Sequence, residues 1–430
     1  MKEVLYKTVH HFFPEYRSWL KSMRDPRNKN MLTYELPTMI WIGTLVFLLK
    51  LGSRRQINYE LDSEEMLKNV KLLTKEEMER IPHDGTLEYL LERFDTRELC
   101  DLRTNMINSL IRKKCLNNYR LSGYYMVAID GSGYLTFKNR HCEHCLKAEK
   151  DGKVLYYRHP VLEAKLVLSN GMAFSLETEF IENPIAGVSI QDCELKAFHR
   201  LIERLKRSFP QLKICLLLDG LYANKPVLDD CHRNNWKYII TFKEGSMPEA
   251  YREYETLKKL SKENYGEYTA EKIKQEYWWA ADILQYKDVA NVNVLECIEN
   301  KEGKEKKFVW LTNFSVNESN FKEIGGGGRL RWKIENEGFN TQKNGGYKLE
   351  HPYSEDIVAL KNFYLLLQIA HIISQLMEKG SLLADKVKKA FGSIRNLSRR
   401  LLESLRTSVF DSIELNSIES SRFQIRLQPP

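Results

Sequence analysis

The sequence predicts a mixed α/β fold, in which a sheet of parallel and antiparallel strands is flanked by helical regions. Apolar residues recur at helical spacing before residue 118 and again after residue 353, whereas strand-like apolar runs fill the middle of the chain. At 430 residues the chain is also too long for one ordinary core. We therefore predict five parts: an N-terminal helical region at 1–118, a sheet core at 119–245 and 311–352, a β-rich insertion at 246–310, and a C-terminal helical region at 353–430.

The composition is that of a globular protein rather than a disordered one, with 43% hydrophobic and 11% aromatic residues. The net charge of +8 permits nucleic-acid binding but does not demand it. The first residues lack the apolar core and cleavage site of a signal peptide. We therefore expect a cytoplasmic protein with eight reduced cysteines.

The N-terminal region contains apolar segments with helical spacing. The most apolar of them, Leu36–Leu51, is shorter than the roughly 20 residues that a membrane span needs, so it predicts a buried helix and no membrane partner. The basic segment Arg17–Lys29 has two interpretations, a contact to the DNA backbone and a solvated charged helix.

The core region alternates between strand-like and helical segments. Asn170-Gly171 between the second and third strands is a strong hairpin signal. The order strand, strand, strand, helix, strand, helix, strand is typical of a ribonuclease-H-like mixed sheet. Its segments are Met126–Ile129, Val154–Leu168, Met172–Ile181, Cys193–Phe209, Lys213–Leu218, Ala223–Asn235 and Tyr238–Phe242.

The insertion carries two further strand-like runs, Val292–Ile298 and Phe308–Leu311. Its Trp278 has two interpretations, stacking on a DNA base and buried packing. The glycines at Gly325–Gly328 form no P-loop, because no Gly-Lys-Ser/Thr follows them, and they predict a flexible lead into the next helix.

Three carboxylates are candidates for a catalytic metal site. Asp130 and Asp219 are each predicted at the end of an apolar strand, and Glu335 on a late helix. A single aspartate before glycine is often only a turn former. Together, however, the three fit the oxygen ligands of two Mg²⁺ or Mn²⁺ ions that assist phosphodiester chemistry.

The chain resembles the bacterial DDE transposases of the insertion-sequence-four type. The resemblance lies in the segments Ile129–Gly133, Leu218–Leu221 and Arg331–Asn336, and it is supported by Phe339-Asn340 and Gly346–His351. The intervals between the three carboxylates, 219 − 130 = 89 and 335 − 219 = 116 residues, are also similar to those of the family. It covers about residues 30–375. It implies a ribonuclease-H-like core, a divalent metal pair on Asp130, Asp219 and Glu335, binding to terminal inverted repeats and target DNA, and action as a homodimer.

The family signature around the last glutamate is incomplete. Arg331 lies four residues before Glu335, as expected, but Gly328 replaces a tyrosine, and Gln342 replaces a lysine, with Lys343 one position later. Glu337 is the rival carboxylate, about 200° around a helix from Glu335. We predict that Arg329, Arg331 and Lys343 contact DNA phosphates; solvated salt bridges are the alternative.

A second metal is suggested by His141, Cys142, His144 and Cys145, which place four potential zinc ligands within five residues. His159 or Cys193 are further candidates to complete a set around Cys142 and Cys145. Ordinary loop residues between strands are the alternative.

Four functional hypotheses follow. The first is a Mg²⁺-dependent transposase that frees the element's 3′ end by hydrolysis and joins it to target DNA. The second is a ribonuclease-H-like nuclease that cuts without joining. The third is a catalytically inactive DNA-binding descendant of a transposase, and the fourth is a zinc-dependent regulatory module.

Overall fold

The computed structural model describes residues 1–185, 188, 190–270, 273–283, 292–383, 387–421 and 423–428. Within them, ten strands form one mixed sheet in the order β2-β3-β1-β5-β6-β10-β9-β8-β7, and β4 pairs with β3. The mixed α/β prediction is confirmed. The strands are β1 Tyr125–Phe137, β2 Leu146–Lys150, β3 Lys153–Val167, β4 Ala173–Phe180, β5 Ile214–Leu218, β6 Lys237–Thr241, β7 Tyr265–Ala270, β8 Ile273–Ala280, β9 Asn293–Lys301 and β10 Lys304–Thr312.

Helices cover both ends of the chain and connect the later strands. In chain order they are α1 Lys2–Phe12, α2 Tyr16–Ser22, α3 Leu36–Leu48, α4 Ile57–Glu60, α5 Glu64–Thr74, α6 Asp84–Leu91, α7 Thr96–Arg112, α8 Glu194–Ser208, α9 Lys225–Arg233, α10 Pro248–Leu260, α11 Phe321–Arg329, α12 Thr341–Asn344, α13 Ile357–Lys379, α14 Ile394–Thr407 and α15 Ser412–Ser420.

The centre of the sheet is built from β4, β3, β1, β5 and β6. β1 and β4 both pair with β3 in antiparallel fashion, whereas β5 pairs in parallel with β1 and β6. The predicted β3–β4 hairpin is confirmed, with Gly171 at a φ of +86° in its turn. Helix α8 follows β4, and α9 connects β5 to β6. Every residue of β5 is buried, as a strand covered on both faces requires.

The insertion extends this sheet. β10 pairs with β6 and with β9 in antiparallel fashion, and β8 and β7 follow. The runs predicted at Val292–Ile298 and Phe308–Leu311 correspond to β9 and β10. The edge of the core sheet is therefore covered by the insertion's own strands rather than left unpaired.

The glycine run is helical, so the predicted flexible lead is wrong. Gly325–Gly328 lies inside α11, which packs on β6. A Cβ on Gly327 would lie 2.4 Å from Leu121 Cδ1, and one on Gly328 would lie 2.7 Å from the Trp310 ring. Close packing of helix on sheet therefore selects glycine here, despite its helix penalty of about 1 kcal/mol relative to alanine.

The two helical regions pack on each other. Helix α13 lies against α3 and α7 and also contacts β4. It is long and apolar enough to cross a membrane by composition, but 83% of its most apolar stretch is buried inside the fold. Leu36–Leu48 is likewise buried throughout, as predicted. Both are core helices.

Candidate active site

Asp130 and Asp219 lie at the same level of two adjacent parallel strands. In the β1–β5 pair, Tyr125 is opposite Ile214, an offset of 214 − 125 = 89 residues. The aspartates have the same offset, 219 − 130 = 89. Because neighbouring strands are about 4.8 Å apart, the two carboxylates project from neighbouring backbone positions.

The expectation that Asp130 ends its strand is wrong. β1 continues to Phe137, because β3 pairs with it along that whole stretch, and Asp130 is opposite Glu163. The pairing with β5 does stop at Ala128, two residues earlier. Asp130 therefore lies just past the end of the parallel ladder, on a strand that remains held from its other side.

Backbone amides position one oxygen of each aspartate. Gly131 N–H donates to Asp130 Oδ1 at 3.0 Å, and Leu221 N–H donates to Asp219 Oδ1 at 2.9 Å. The second bond caps the short helical turn Gly220–Tyr222. Both carboxylates are therefore oriented by the main chain.

A third carboxylate, Glu194, was missed by the sequence analysis. It lies in the first turn of α8, and its Oε2 occupies the space beside Gly131, where a Cβ would lie 2.6 Å away. The buried Tyr222 hydroxyl donates to Glu194 Oε1 at 2.7 Å. The only available signal was an acidic residue at the start of the helix predicted at Cys193–Phe209. We call Asp130, Asp219 and Glu194 the carboxylate site.

Burial and mutual repulsion disfavour full ionisation of this site. Burial raises the pKa of Asp130 to about 6; Arg331 opposes this rise, and Asp219 and Glu194 add to it. Burial also raises the pKa of Glu194, which Tyr222 opposes and Asp219 reinforces. Carboxylates that lie close together repel one another when ionised, and their oxygens are the ligands that a hard divalent cation binds.

Arg331 contacts the carboxylate site directly. Its Nη1 lies 3.3 Å from Asp130 Oδ2, and its guanidinium lies over the Trp332 ring at 4.6 Å. The Trp332 side chain is 51% exposed. A cation and an exposed aromatic ring thus lie beside the aspartates.

Glu335 lies in a π-helical segment, Ile334–Asn340, which packs against β1. Its side chain is exposed, and among the described residues it makes no hydrogen bond or ion pair. Because a π-helix is wider than an α-helix, the α-helical phase that favoured Glu335 does not transfer unchanged.

The Glu337 side chain points away from the two aspartates. It pairs with Lys333 at 2.8 Å, and its Oε1 lies beside Gly171, in the β3–β4 turn. Asp130, by contrast, is opposite Glu163, well inside β3. These contacts place the Glu337 carboxylate away from the aspartates.

Both departures from the family signature have a packing reason. Gln342 is fully buried, and its Nε2 donates to Gln368 Oε1 at 2.8 Å and lies 2.9 Å from His371 Nδ1. Lys343 is partly exposed and pairs with Glu350 at 2.9 Å. At Gly328, where a tyrosine was expected, the Trp310 ring leaves no room for a side chain.

The remaining residues predicted to bind DNA differ in accessibility. Arg329 is ion-paired with Glu299 at the edge of a cleft. Trp278 is buried and donates its indole N–H to Ser261 O at 3.1 Å, which matches the packing alternative rather than base stacking. In the N-terminal segment, Arg17 donates to Thr74 O and Lys75 O, so its guanidinium is engaged within the protein.

A cleft with mostly basic charge opens beside Asp219. Its charged lining comprises four basic and two acidic side chains: Lys243, Lys307, Arg329, Arg331, Asp219 and Glu244. Trp332 also lines it. We call it the basic cleft, and it leads from the surface to the carboxylate site.

The thiol and imidazole residues assemble differently from the expectation. Cys142 and Cys145 lie near His159 and His141, whereas His144 turns away and its Nδ1 lies 2.9 Å from Asn183 O. Cys193 is exposed at the start of α8. The prediction that His144 belongs to the zinc set is therefore wrong, and His159 lies beside the two cysteines instead.

Neither a protein-family model nor a curated protein matches the chain.

Proposed function

We propose that the protein is a metal-dependent DNA transposase that cuts at element ends and joins them to target DNA. One observation carries the proposal. Asp130 on β1 and Asp219 directly after β5 lie just past the end of the parallel β1–β5 ladder, with Arg331 on Asp130 and a basic cleft beside them. The sequence resemblance names these same three residues.

The strand order supports a ribonuclease-H-like core. Read across the sheet, β4-β3-β1-β5-β6 comprises three antiparallel strands followed by two that run parallel to β1. Helices lie in the two connections that lead to β5 and to β6. This is the order expected of such a core, interrupted by β2 and extended by β7–β10.

The carboxylate site fits Mg²⁺ or Mn²⁺. Its donors are all oxygens, its groups are half-buried, and burial, with the neighbouring charges of Asp219 and Glu194, raises the pKa of Asp130. Asp130, Asp219 and Glu335 would hold the ions, and Glu194 lies close enough to contribute. When bound, such ions activate a water or 3′-hydroxyl and offset charge on the phosphate.

The other residues act on DNA. Arg331 is placed to contact the phosphate at the reacting position once its carboxylate partner binds a cation. The basic cleft would hold the DNA backbone, and the exposed ring of Trp332 offers a surface on which a base can stack. Glu335, exposed and unpaired among the described residues, lies on the π-helical segment that begins three residues after Arg331.

A nuclease that cuts without joining is the second candidate. The observation that favours it is Glu194, because Asp130, Asp219 and Glu194 form a three-carboxylate set without any contribution from Glu335. In that case the Glu194 carboxylate contributes more to metal binding than the Glu335 carboxylate does.

A plasmid assay tests the proposal. The purified protein is incubated with Mg²⁺ and a supercoiled plasmid that carries the DNA flanking its gene on both sides, including any inverted repeats. We expect cleavage at the repeats and joined products, both lost in Asp219→Asn. The matched control is Asp62→Asn, an exposed aspartate outside the site.

The outcomes separate the candidates. Joined products support the transposase, and cleavage without joining supports the nuclease. Cleavage that survives Asp219→Asn, or that persists in excess chelator, would contradict both.

A further inference from the structure

The second cluster of metal-ligand side chains lies at the far end of β1 and β3. It consists of His141, Cys142, Cys145 and His159, and we call it the thiol–imidazole cluster. The first three belong to the loop between β1 and β2, and His159 lies on β3 opposite Leu135. The proposed reaction at the carboxylate site uses none of these residues.

The separations among Cys142, Cys145 and His159 are those of a tetrahedral metal site. Cys142 Sγ and Cys145 Sγ are 3.7 Å apart, and His159 Nε2 lies 3.4 Å from the first and 3.2 Å from the second. Around zinc, Zn–S bonds of about 2.3 Å and Zn–N bonds of about 2.0 Å put sulfurs about 3.8 Å apart and sulfur and nitrogen about 3.5 Å apart. A disulfide, by contrast, needs an S–S distance of about 2.05 Å.

His141 supplies a fourth donor. One of its ring nitrogens lies within 4.8 Å of the donor atoms of Cys142 and His159. The ring stacks on Phe137 at 4.4 Å between centroids, which fixes its plane. Four ligands of this kind make a closed site without a position for substrate, as structural zinc sites have.

The protein supports the ligands from behind. Asn183 Nδ2 donates to Cys145 O at 3.0 Å, and the Cys142 N–H donates to Cys145 Sγ at 3.4 Å. These bonds shape the Cys-x-x-Cys turn and attach it to the segment after β4. The loop is therefore held in position by its backbone.

His159 is the anchor of the cluster. It is 1% exposed, and its Nδ1 faces Glu182 Oε1 at 3.9 Å; both atoms are buried and have no hydrogen-bond partner among the described residues. Glu182 is held in turn by Lys361 of α13, at 2.6 Å. A carboxylate behind a histidine is the common outer partner of a metal-bound imidazole.

We propose that Cys142, Cys145, His159 and His141 bind one zinc ion as a structural site that fixes the β1–β2 loop to β3. The site is independent of the proposed reaction. Its ligands are sulfur and nitrogen, which zinc prefers and Mg²⁺ does not.

Metal content tests the proposal. The full chain is purified without a polyhistidine tag from cells grown with added zinc and measured by inductively coupled plasma mass spectrometry. We expect about one zinc per chain. Cys145→Ser should lose it, and the matched variants Cys193→Ser and His144→Ala should retain it.

A spectroscopic measurement on the unmodified chain covers the case in which Cys145→Ser does not fold. Co²⁺ added to metal-free protein should give the intense visible bands of a tetrahedral site and a thiolate-to-cobalt charge-transfer band, and zinc should displace both. A zinc-free protein with no such bands would overturn the proposal. So would a Cys142–Cys145 disulfide in the freshly purified protein, or zinc retained in Cys145→Ser.

Discussion

The carboxylate site and the thiol–imidazole cluster share one pair of strands and differ in almost every other respect. Asp130 and Leu135 are five residues apart on β1, about 16 Å along an extended strand. At Asp130 the donors are oxygens, half-open beside a basic cleft. Around His159, opposite Leu135, they are sulfur and nitrogen, closed against the core. The β1–β3 pair thus contributes to one site suited to a hard, exchangeable cation such as Mg²⁺ and to a second site suited to a tightly bound zinc ion.

The largest expected effect separates the two sites. Asp130→Asn should lower DNA cleavage by about 1,000-fold or more, because it removes a cation ligand, while zinc content and folding stay unchanged. Cys145→Ser should remove zinc and lower Tm by roughly 3–8 °C. Cleavage rate, mass spectrometry and calorimetry on both variants make the check. Zinc loss in Asp130→Asn would show that the sites are not independent.

The identity of the last catalytic carboxylate gives the next largest effect. Glu335→Gln should lower cleavage by about 100-fold or more if Glu335 completes the metal set. Glu337→Gln is the matched control two residues away and should stay within a few-fold of the unmodified chain. Glu194→Gln is measured alongside them. A greater loss in Glu194→Gln than in Glu335→Gln would assign the third ligand to Glu194 and favour the nuclease.

The pH dependence of stability and of DNA cleavage tests the carboxylate site. With its pKa raised from 3.8 to about 6, Asp130 binds more protons in the folded than in the unfolded chain between these values. The metal-free protein therefore loses stability as the pH rises from about 4 to about 6. Mg²⁺ needs the ionised form, so cleavage should fall about tenfold per pH unit below pH 6.

Calorimetry checks this prediction. Mg²⁺ should raise Tm at pH 7.5 and have little effect at pH 5, and Asp130→Asn should abolish the difference. An equal Mg²⁺ effect at both values would contradict the assignment.

The smallest effect concerns the helix that leads to Arg331. Gly328→Ala should destabilise the protein by about 1–3 kcal/mol, because the new methyl group meets the Trp310 ring, and should lower cleavage a few-fold. Gly326→Ala is the matched control: no atom lies within 4 Å of its Cβ position, so helix propensity should stabilise it by up to about 1 kcal/mol. Zinc content should be unaffected in both. Urea unfolding measures the difference.

What could be predicted from the sequence depended on whether the signal was local. The apolar runs before Asp130 and Asp219 predicted two strands of the core sheet. Because these strands pair in parallel with an offset of 89 residues, the two aspartates reach the same level. The Cys-x-x-Cys segment was likewise visible because its residues are adjacent.

Residues that act through tertiary contacts were harder to predict. Glu194 resembles any acidic residue in a polar helix until α8 packs its first turn beside Gly131. His159 was one of several candidates, and only the β1–β3 register selects it over His144. The four glycines of α11 are typical of a loop in composition, but three of them are needed in the helix because a Cβ on Gly325, Gly327 or Gly328 would lie within 2.7 Å of a neighbouring side chain.

The buried amide pair beneath the π-helical segment has a consequence for how this chain can evolve. Gln342 and Gln368 exchange hydrogen bonds in both directions, and Lys165 Nζ already donates to Gln368 Oε1 at 2.7 Å. Gln342→Lys, which would introduce the residue found in the family that the chain resembles, would bury a second ammonium beside the first. An unpaired buried charge costs about 3–5 kcal/mol. A lysine at position 342 is therefore tolerated only after Lys165 changes.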